Sequence, residues 1–255
     1  MATARAHAGN VEVARHACAA LQNLAYAAEN KIPLFCDGAH AAMIAAVQAH
    51  AGDAEVARAA CGALQNLAAS DSLHVHLVRD GAHKAVMAAA RAHASSVEVA
   101  RYACGAILNL AGAAANQVPL VRDGAHTTVI AALRAHVGDV EVARHVCLAL
   151  WNMSVAEDNR VPLVRDGAHT AMMAAARAHD GNMEVARAAC ATLQNLAIAA
   201  ENQVPLVRDG AHTAGLAVAR AHASSVEVAR YACGALRNLA VADGNCVPLV
   251  RSGVH

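Results

Sequence analysis

Residues 18–25 read Cys18-Ala19-Ala20-Leu21-Gln22-Asn23-Leu24-Ala25, and the chain says this six times with small changes. The echoes are CGALQNLA ending at Ala68, CGAILNLA at Ala111, CLALWNMS at Ser154, CATLQNLA at Ala197 and CGALRNLA at Ala240. Asn23, Asn66, Asn109, Asn152, Asn195 and Asn238 keep a step of 43 residues, as do Cys18, Cys61, Cys104, Cys147, Cys190 and Cys233. A fixed period in this range marks an array of supersecondary units, each unable to bury its apolar face alone. Function becomes a question about one unit and what six of them display in a row.

Composition narrows the class. Of 255 residues, 57% are apolar and 2% aromatic, with alanine supplying much of the apolar share. Alanine is the best helix former and lets helices pack closely. The 20 basic residues balance 20 acidic ones, which leaves no field to draw nucleic acid or an anionic membrane. The opening MATARAHAGN has no apolar run of the kind a secretory signal needs, and no uncharged apolar stretch reaches the length of a membrane span. Six of the eight cysteines share one column of the repeat. Helices pack about 8–10 Å apart, too far for disulfides between neighbours. Free buried thiols in a reducing compartment are expected, cytoplasmic by default and nuclear as the second choice.

One unit shows the design. Asn116-Gln117-Val118-Pro119-Leu120-Val121-Arg122 is a short helix with proline in its first turn, stopped at Asp123-Gly124. The Gly column (Gly38, Gly81, Gly124, Gly167, Gly210, Gly253) marks a left-handed backbone position. His76 replaces the proline in the second repeat. A second helix is predicted over about Thr127–His136, carrying Val129, Ile130 and Leu133. Asp53, Ser96 and Asp139 then cap a third and longest helix, which in the first copy runs from Val11 to about Ala27. At 100° per residue, Val13, Ala17, Ala20, Leu21 and Leu24 form its core face. Ala14, Cys18 and Ala25 lie at the seam with the next repeat. Glu12, Arg15, His16, Ala19, Gln22, Asn23 and Tyr26 face away. Three helices per 43 residues argue for an all-α solenoid.

The pattern N-x-x-P-L-V-x-D-G-A, an apolar helix, then V-x-V-A-R-x-x-C-G-A-L-x-N-L-A resembles the armadillo repeat, over essentially the whole chain. The resemblance implies a right-handed superhelix of three-helix repeats forming a single domain, 1–255. Five complete repeats are expected at 29–71, 72–114, 115–157, 158–200 and 201–243, with partial repeats at 1–28 and 244–255. The nearest rival, the HEAT repeat, has two helices and lacks the short helix with its glycine stop. The family includes carriers, adaptors and scaffolds, so it implies a non-catalytic protein-interaction module whose third helices line a concave groove. The expected occupant is an extended or helical protein segment. No polar capping repeat is visible: the expectation is a piece of a longer array or one with imperfect caps, and the alternative is a scaffold that associates head to tail through its ends as a homo-oligomer.

Within that resemblance the column Asn23, Asn66, Asn109, Asn152, Asn195 and Asn238 implies contact with a partner's backbone, since a carboxamide both donates and accepts. The alternative is a bridge between adjacent third helices. Importin-like carriers place a Trp four residues before this Asn, where this chain has Ala19, Gly62, Gly105, Leu148, Ala191 and Gly234. Their acidic residue is missing as well. Arg15, Arg58, Arg101, Arg144, Arg187 and Arg230 stand eight before the Asn instead. A groove edged with arginine and floored with glycine or alanine suits an acidic or apolar segment better than a basic one. Those arginines also lie three residues after Glu12, Glu55, Glu98, Glu141, Glu184 and Glu227, within ion-pair reach on a helix. Trp151 is either a partner anchor or packed against Met153 or the adjacent repeat.

Twelve of the sixteen histidines form two columns. One is His40, His83, His126, His169, His212 and His255; the other is His7, His50, His93, His136, His179 and His222. Members are too widely spaced to gather a tetrahedral metal site, and the second column is placed at helix C-termini, where a ring N–H reaches a free carbonyl. His74 and His76, near His83, are the one local cluster. No phosphate loop or nucleophile elbow is present, so no catalytic, cofactor-binding or metal-binding residues are assigned.

Overall fold

The computed structural model describes residues 9–253, and among these there is no strand. His7 and His255, the ends of the histidine columns, fall outside that range. The chain forms two compact units, Met1–Ala135 and His136–His255. The first contains α1 (Val11–Leu24), α2 (Lys31–Cys36), α3 (Ala39–Ala49), α4 (Ala54–Leu67), α5 (His74–Arg79), α6 (Ala82–Ala92), α7 (Val97–Ala111), α8 (Ala114–Arg122) and α9 (Ala125–Ala135). The second contains α10 (Val140–Ser154), α11 (Arg160–Arg165), α12 (Ala168–Ala178), α13 (Met183–Leu196), α14 (Ala200–Arg208), α15 (Ala211–Ala221), α16 (Val226–Leu239) and α17 (Cys246–Arg251). Short, middle and long helices recur in that order, an all-α solenoid of three-helix repeats. No single described helix is long and apolar enough to cross a membrane.

Each boundary has a local cause. The six column glycines all have positive φ, from 76° to 87°, a region open to glycine at no steric cost. Each ends a short helix, and Gly38, Gly81, Gly124, Gly167 and Gly210 also start the next. Asn10, Asp53, Ser96, Asp139, Asn182 and Ser225 cap the long helices, each side-chain oxygen accepting from the N–H three residues on. The long helices stop earlier than the apolar pattern suggests. The first ends at Leu24, where the Ala25 N–H bonds back to Leu21 O and Asn23 O. The middle helix begins at Ala125, because Gly124 itself starts it. The short helix begins at Ala114, so Pro119 lies inside the helix and not in its first turn.

Long helices of successive repeats pack side by side, α1 on α4 on α7 in one unit and α10 on α13 on α16 in the other. In α4 the expected core face is fully buried: Val56, Ala60, Ala63, Leu64 and Leu67. The face is incomplete in α1, where Leu24 is 50% exposed. The short and middle helices α2 and α3 cover α4, and among the described residues α1 has no such pair. The cysteine seam holds at Cys18, Cys61, Cys104, Cys147 and Cys190, all buried and all free. Burial pushes the Cys61, Cys104, Cys147 and Cys190 thiols up to about 12. Cys233 departs from the column and is exposed, since no long helix follows α16 among the described residues.

Candidate protein-binding face of the third helices

The asparagine column stacks the long helices. Asn66 Nδ2 donates to Gln22 O at 2.9 Å, Asn109 to Gln65 O at 3.1 Å and Asn238 to Gln194 O at 3.2 Å. Asn195 reaches Ser154 Oγ at 3.0 Å, and that hydroxyl donates to Trp151 O at 2.7 Å, so the serine relays the same tie. Of the two roles weighed for this column, bridging is the one these bonds fulfil. In these four the amide group faces the preceding long helix. Asn66, Asn109, Asn152, Asn195 and Asn238 are half-buried, and Asn23 is exposed.

The small residues of the face are not an open floor. A Cβ on Gly62 would meet Gln22 Nε2 at 2.3 Å, one on Gly105 would meet Gln65 Nε2 at 2.3 Å, and one on Gly234 would meet Gln194 Nε2 at 2.6 Å. Glutamine side chains of one repeat lie flat on the glycines of the next. Where the earlier repeat carries Leu108 or Trp151 in place of glutamine, the later position holds Leu148 or Ala191.

The arginine edge is an alternating ladder of both signs. Arg101 pairs with Glu98 at 2.9 Å and Arg144 with Glu141 at 3.0 Å, three residues apart on one helix. Arg15 reaches Glu12 at 2.8 Å and, in the next repeat, Glu55 at 3.3 Å, with Asp53 as a further partner. That guanidinium, with the Val56 N–H, holds the Asp53 carboxyl down to about 2. Arg144 and Arg187 contact Glu184 and Glu227 of the following repeats at 3.8 Å. Arg58 shares a depression with Glu12, Arg15, His16 and Glu55. Partly exposed pairs of this kind contribute little stability each, but they cancel most of the positive edge expected from the arginines.

One cluster stands apart. Trp151 on α10 meets Tyr231 on α16 edge to face, ring centroids 6.0 Å apart, although the two are two repeats apart in the chain. Arg187 lies over the Trp151 ring at 5.3 Å and Arg230 over the Tyr231 ring at 4.5 Å. Trp151, Tyr231 and both arginines sit on the outward face of the long helices. Arg230 makes no ion pair among the described residues. Arg230 was visible as a member of the arginine column; the meeting of Tyr231 with Trp151 was not.

A second asparagine column has a purely internal task. Asn116, Asn159, Asn202 and Asn245 are buried, and each donates to the carbonyl six residues back, at the end of the preceding long helix. Asn202 and Asn245 also reach Arg160 O and Gln203 O of the previous repeat, at 2.9 and 3.0 Å. In the second repeat Leu73 takes the place of this asparagine, and His74, one residue later, bonds Ala68 O at 2.7 Å. His74 is thus structural, and His76 lies near the Phe35 ring. Among the described residues no three His, Cys, Asp or Glu side chains converge as metal ligands.

Three members of the first histidine column pair with the aspartate before the glycine of the next repeat. His83 Nε2 lies 3.0 Å from Asp123, His169 3.2 Å from Asp209 and His40 3.3 Å from Asp80. The hydrogen bond from His83 leads in holding the Asp123 carboxyl down to about 2. Burial pushes the His40 and His169 imidazoles below the ordinary histidine range, against the opposing pull of their aspartates. Nδ1 of His83, His169 and His212 is buried without a partner. In the second column His179 Nε2 reaches Val137 O at 2.7 Å, the carbonyl contact expected at a helix C-terminus.

Repeats of short, middle and long helix, tied by an asparagine between long helices and turned at a left-handed glycine, give the chain an armadillo-like solenoid fold. The family model described as LRRK2 ARM repeat matches residues 37–158. A crystal structure of an engineered protein is similar over 90% of this chain and 91% of its own, with a TM-score of 0.75 and 21% identity. A structure concerned with the phosphorylation switch that controls the interaction between cadherin and beta-catenin is similar over 95% of this chain, with a TM-score of 0.60 and 18% identity. This chain spans 56% of that one. At these identities the likeness is one of fold. No curated protein sequence matches.

Proposed function

We propose that the outward face of the long helices binds a segment of another protein, and that the chain is an interaction module without catalytic activity. The observation that carries this is the cluster of Trp151, Tyr231, Arg187 and Arg230. Tryptophan, tyrosine and arginine are the residue types that dominate binding energy at interfaces, and here two guanidinium groups stack on two rings. Arg230 has no carboxylate of its own, so the segment brings an acidic group there beside an apolar residue for Trp151. Elsewhere Arg15, Arg101 and Arg144 already have glutamate partners on their own helices, and the acidic preference centres on this cluster. The half-buried asparagines hold the face in register and offer their remaining amide oxygens to the partner's backbone. Eight free cysteines fit a reducing compartment, cytoplasmic or nuclear.

The test compares proteins co-purified by the wild-type chain with those co-purified by Trp151→Ala and by Arg230→Glu, quantified by mass spectrometry. Both variants change partly exposed side chains and leave the asparagine ties intact. Partners enriched by the wild type are lost in both. An identical partner set across all three chains refutes the assignment.

A further inference from the structure

In the unit His136–His255, six apolar side chains stand in water at two recurring positions. Val155, Ile198 and Val241 follow the ends of α10, α13 and α16; Val161, Val204 and Val247 lie on the short helices α11, α14 and α17. Their exposure runs from 41% at Val161 to 71% at Val241. Single exposed valines are ordinary, but contiguous apolar surface marks an interaction site. A buried asparagine holds the two positions of each repeat in a fixed relation. Asn159, Asn202 and Asn245 donate to Met153 O, Leu196 O and Leu239 O at 2.8, 2.9 and 2.8 Å. Asn202 and Asn245 then bond the previous repeat's short helix. The columns therefore run in register from repeat to repeat.

Carboxylates lie between the columns. Glu157, Asp158, Glu201 and Asp243 are all exposed, and no cation pairs with any of them among the described residues. The contrast with the long-helix face is direct, since there Glu141 meets Arg144 and Glu227 meets Arg187. One cation of this strip, Arg160, turns its Nη2 to the backbone carbonyl of Val155 at 3.4 Å.

We infer that this strip is a second docking surface, occupied by a basic amphipathic helix of a partner protein. Apolar side chains on the helix cover the two columns, and lysine or arginine beside them meets the unpaired carboxylates. The spacing agrees. Packed helices of successive repeats lie about 8–10 Å apart, and at about 1.5 Å per residue a helix covers that distance in six or seven residues. Apolar residues recurring every seventh position thus meet successive repeats. An anionic bilayer is the wrong occupant, because such surfaces attract basic and repel acidic segments.

The experiment selects displayed helical peptides, with randomised faces, on the full chain and counter-selects them on the Ile198→Lys/Val204→Lys chain. Enriched peptides carry apolar residues at seven-residue spacing with Lys or Arg beside them. A synthesised copy then loses at least about tenfold in affinity towards both Ile198→Lys/Val204→Lys and Glu157→Lys/Glu201→Lys, while Trp151→Ala leaves it unchanged. All four substituted positions are exposed, so both variants keep the wild-type melting curve. No enrichment, enrichment of acidic peptides, or binding that ignores both variants overturns the inference. It also fails if the apolar variant instead abolishes self-association in light scattering, which makes a second copy the occupant. Wild-type binding to phosphatidylserine vesicles, lost in the same variant, would sink it in favour of a membrane.

Discussion

Substituting Gly105 by alanine tests the packing that closes the long-helix face. Glycine in the interior of α7 carries a helix penalty of about 1 kcal/mol relative to alanine, so on propensity alone Gly105→Ala is stabilising. The new Cβ, however, falls 2.3 Å from Gln65 Nε2 and 2.7 Å from Gln65 Cδ. The glutamine must leave its place, at a cost of about 0.5–1.5 kcal/mol in rotamer strain and lost packing. The two effects nearly cancel, and the single variant is close to neutral. In a Gln65→Ala background nothing opposes the new methyl group, and the full gain of about 1 kcal/mol returns. Urea unfolding of the four chains closes a double-mutant cycle with a coupling of about 1 kcal/mol, the size seen for residues in contact. In thermal melting that corresponds to about 2–4 °C for a chain of this size. Gly105→Ala that stabilises equally with and without Gln65 would refute the claim that the glutamine covers the glycine.

Two further outcomes follow from buried polar groups. Asn202→Ala strands the carbonyls of Leu196 and Arg160 and is expected to lower stability by about 1–3 kcal/mol, whereas Asn23→Ala on the exposed first copy stays within about 0.5 kcal/mol; equal urea midpoints for the two variants would contradict the clamp. Acid is expected to destabilise the protein before its carboxylates titrate. Burial lowers the folded-state pKa of His40, His169 and His212, so the unfolded chain binds their protons first, from about pH 6.5 downward, and unfolding gains as the pH falls. Their stabilising neutral form is complete above that value and is lost below it, and the lowered Asp80, Asp123 and Asp209 act in the same direction at lower pH. Melting temperatures from pH 8 to 5 should decline, with a shallower decline in His169→Gln; a flat profile rules this out.

The elements of one repeat were legible because their causes are local. Gly124, Asp139 and the apolar spacing of Val129, Ile130 and Leu133 act within a few residues, and each does what its type dictates. Errors at helix ends have the same origin. The pattern of apolar residues does not say that Ala25 will close the helix three residues after Gln22, nor that Pro119 can sit inside α8. What lies between repeats was harder to read. Gln65 over Gly105, Arg15 beside Asp53 and His83 beside Asp123 join residues some forty positions apart, and their meeting depends on the register of one helix against the next. The chain does carry a trace of the first of these. Glycine follows glutamine at Gln22 and Gln65, and again at Gln194, but not at Leu108 or Trp151. The Trp151–Tyr231 contact leaves no such trace: it passes over α13, where the position matching Tyr231 is Ala188 and the one matching Trp151 is Gln194.

The asparagine ties end on main-chain carbonyls, and every residue type has one. Gln22, Gln65 and Gln194 serve as acceptors through their backbone, and Trp151 does so through the Ser154 hydroxyl. The side chain at that position takes no part in the tie, and along the chain it is Gln22, Gln65, Leu108, Trp151, Gln194 and Arg237. Attachment and display are inherited separately. A unit can be duplicated, keep its hold on the unit before it, and acquire a new outward residue together with a matching change in the next unit, as Leu108 goes with Leu148 and Trp151 with Ala191.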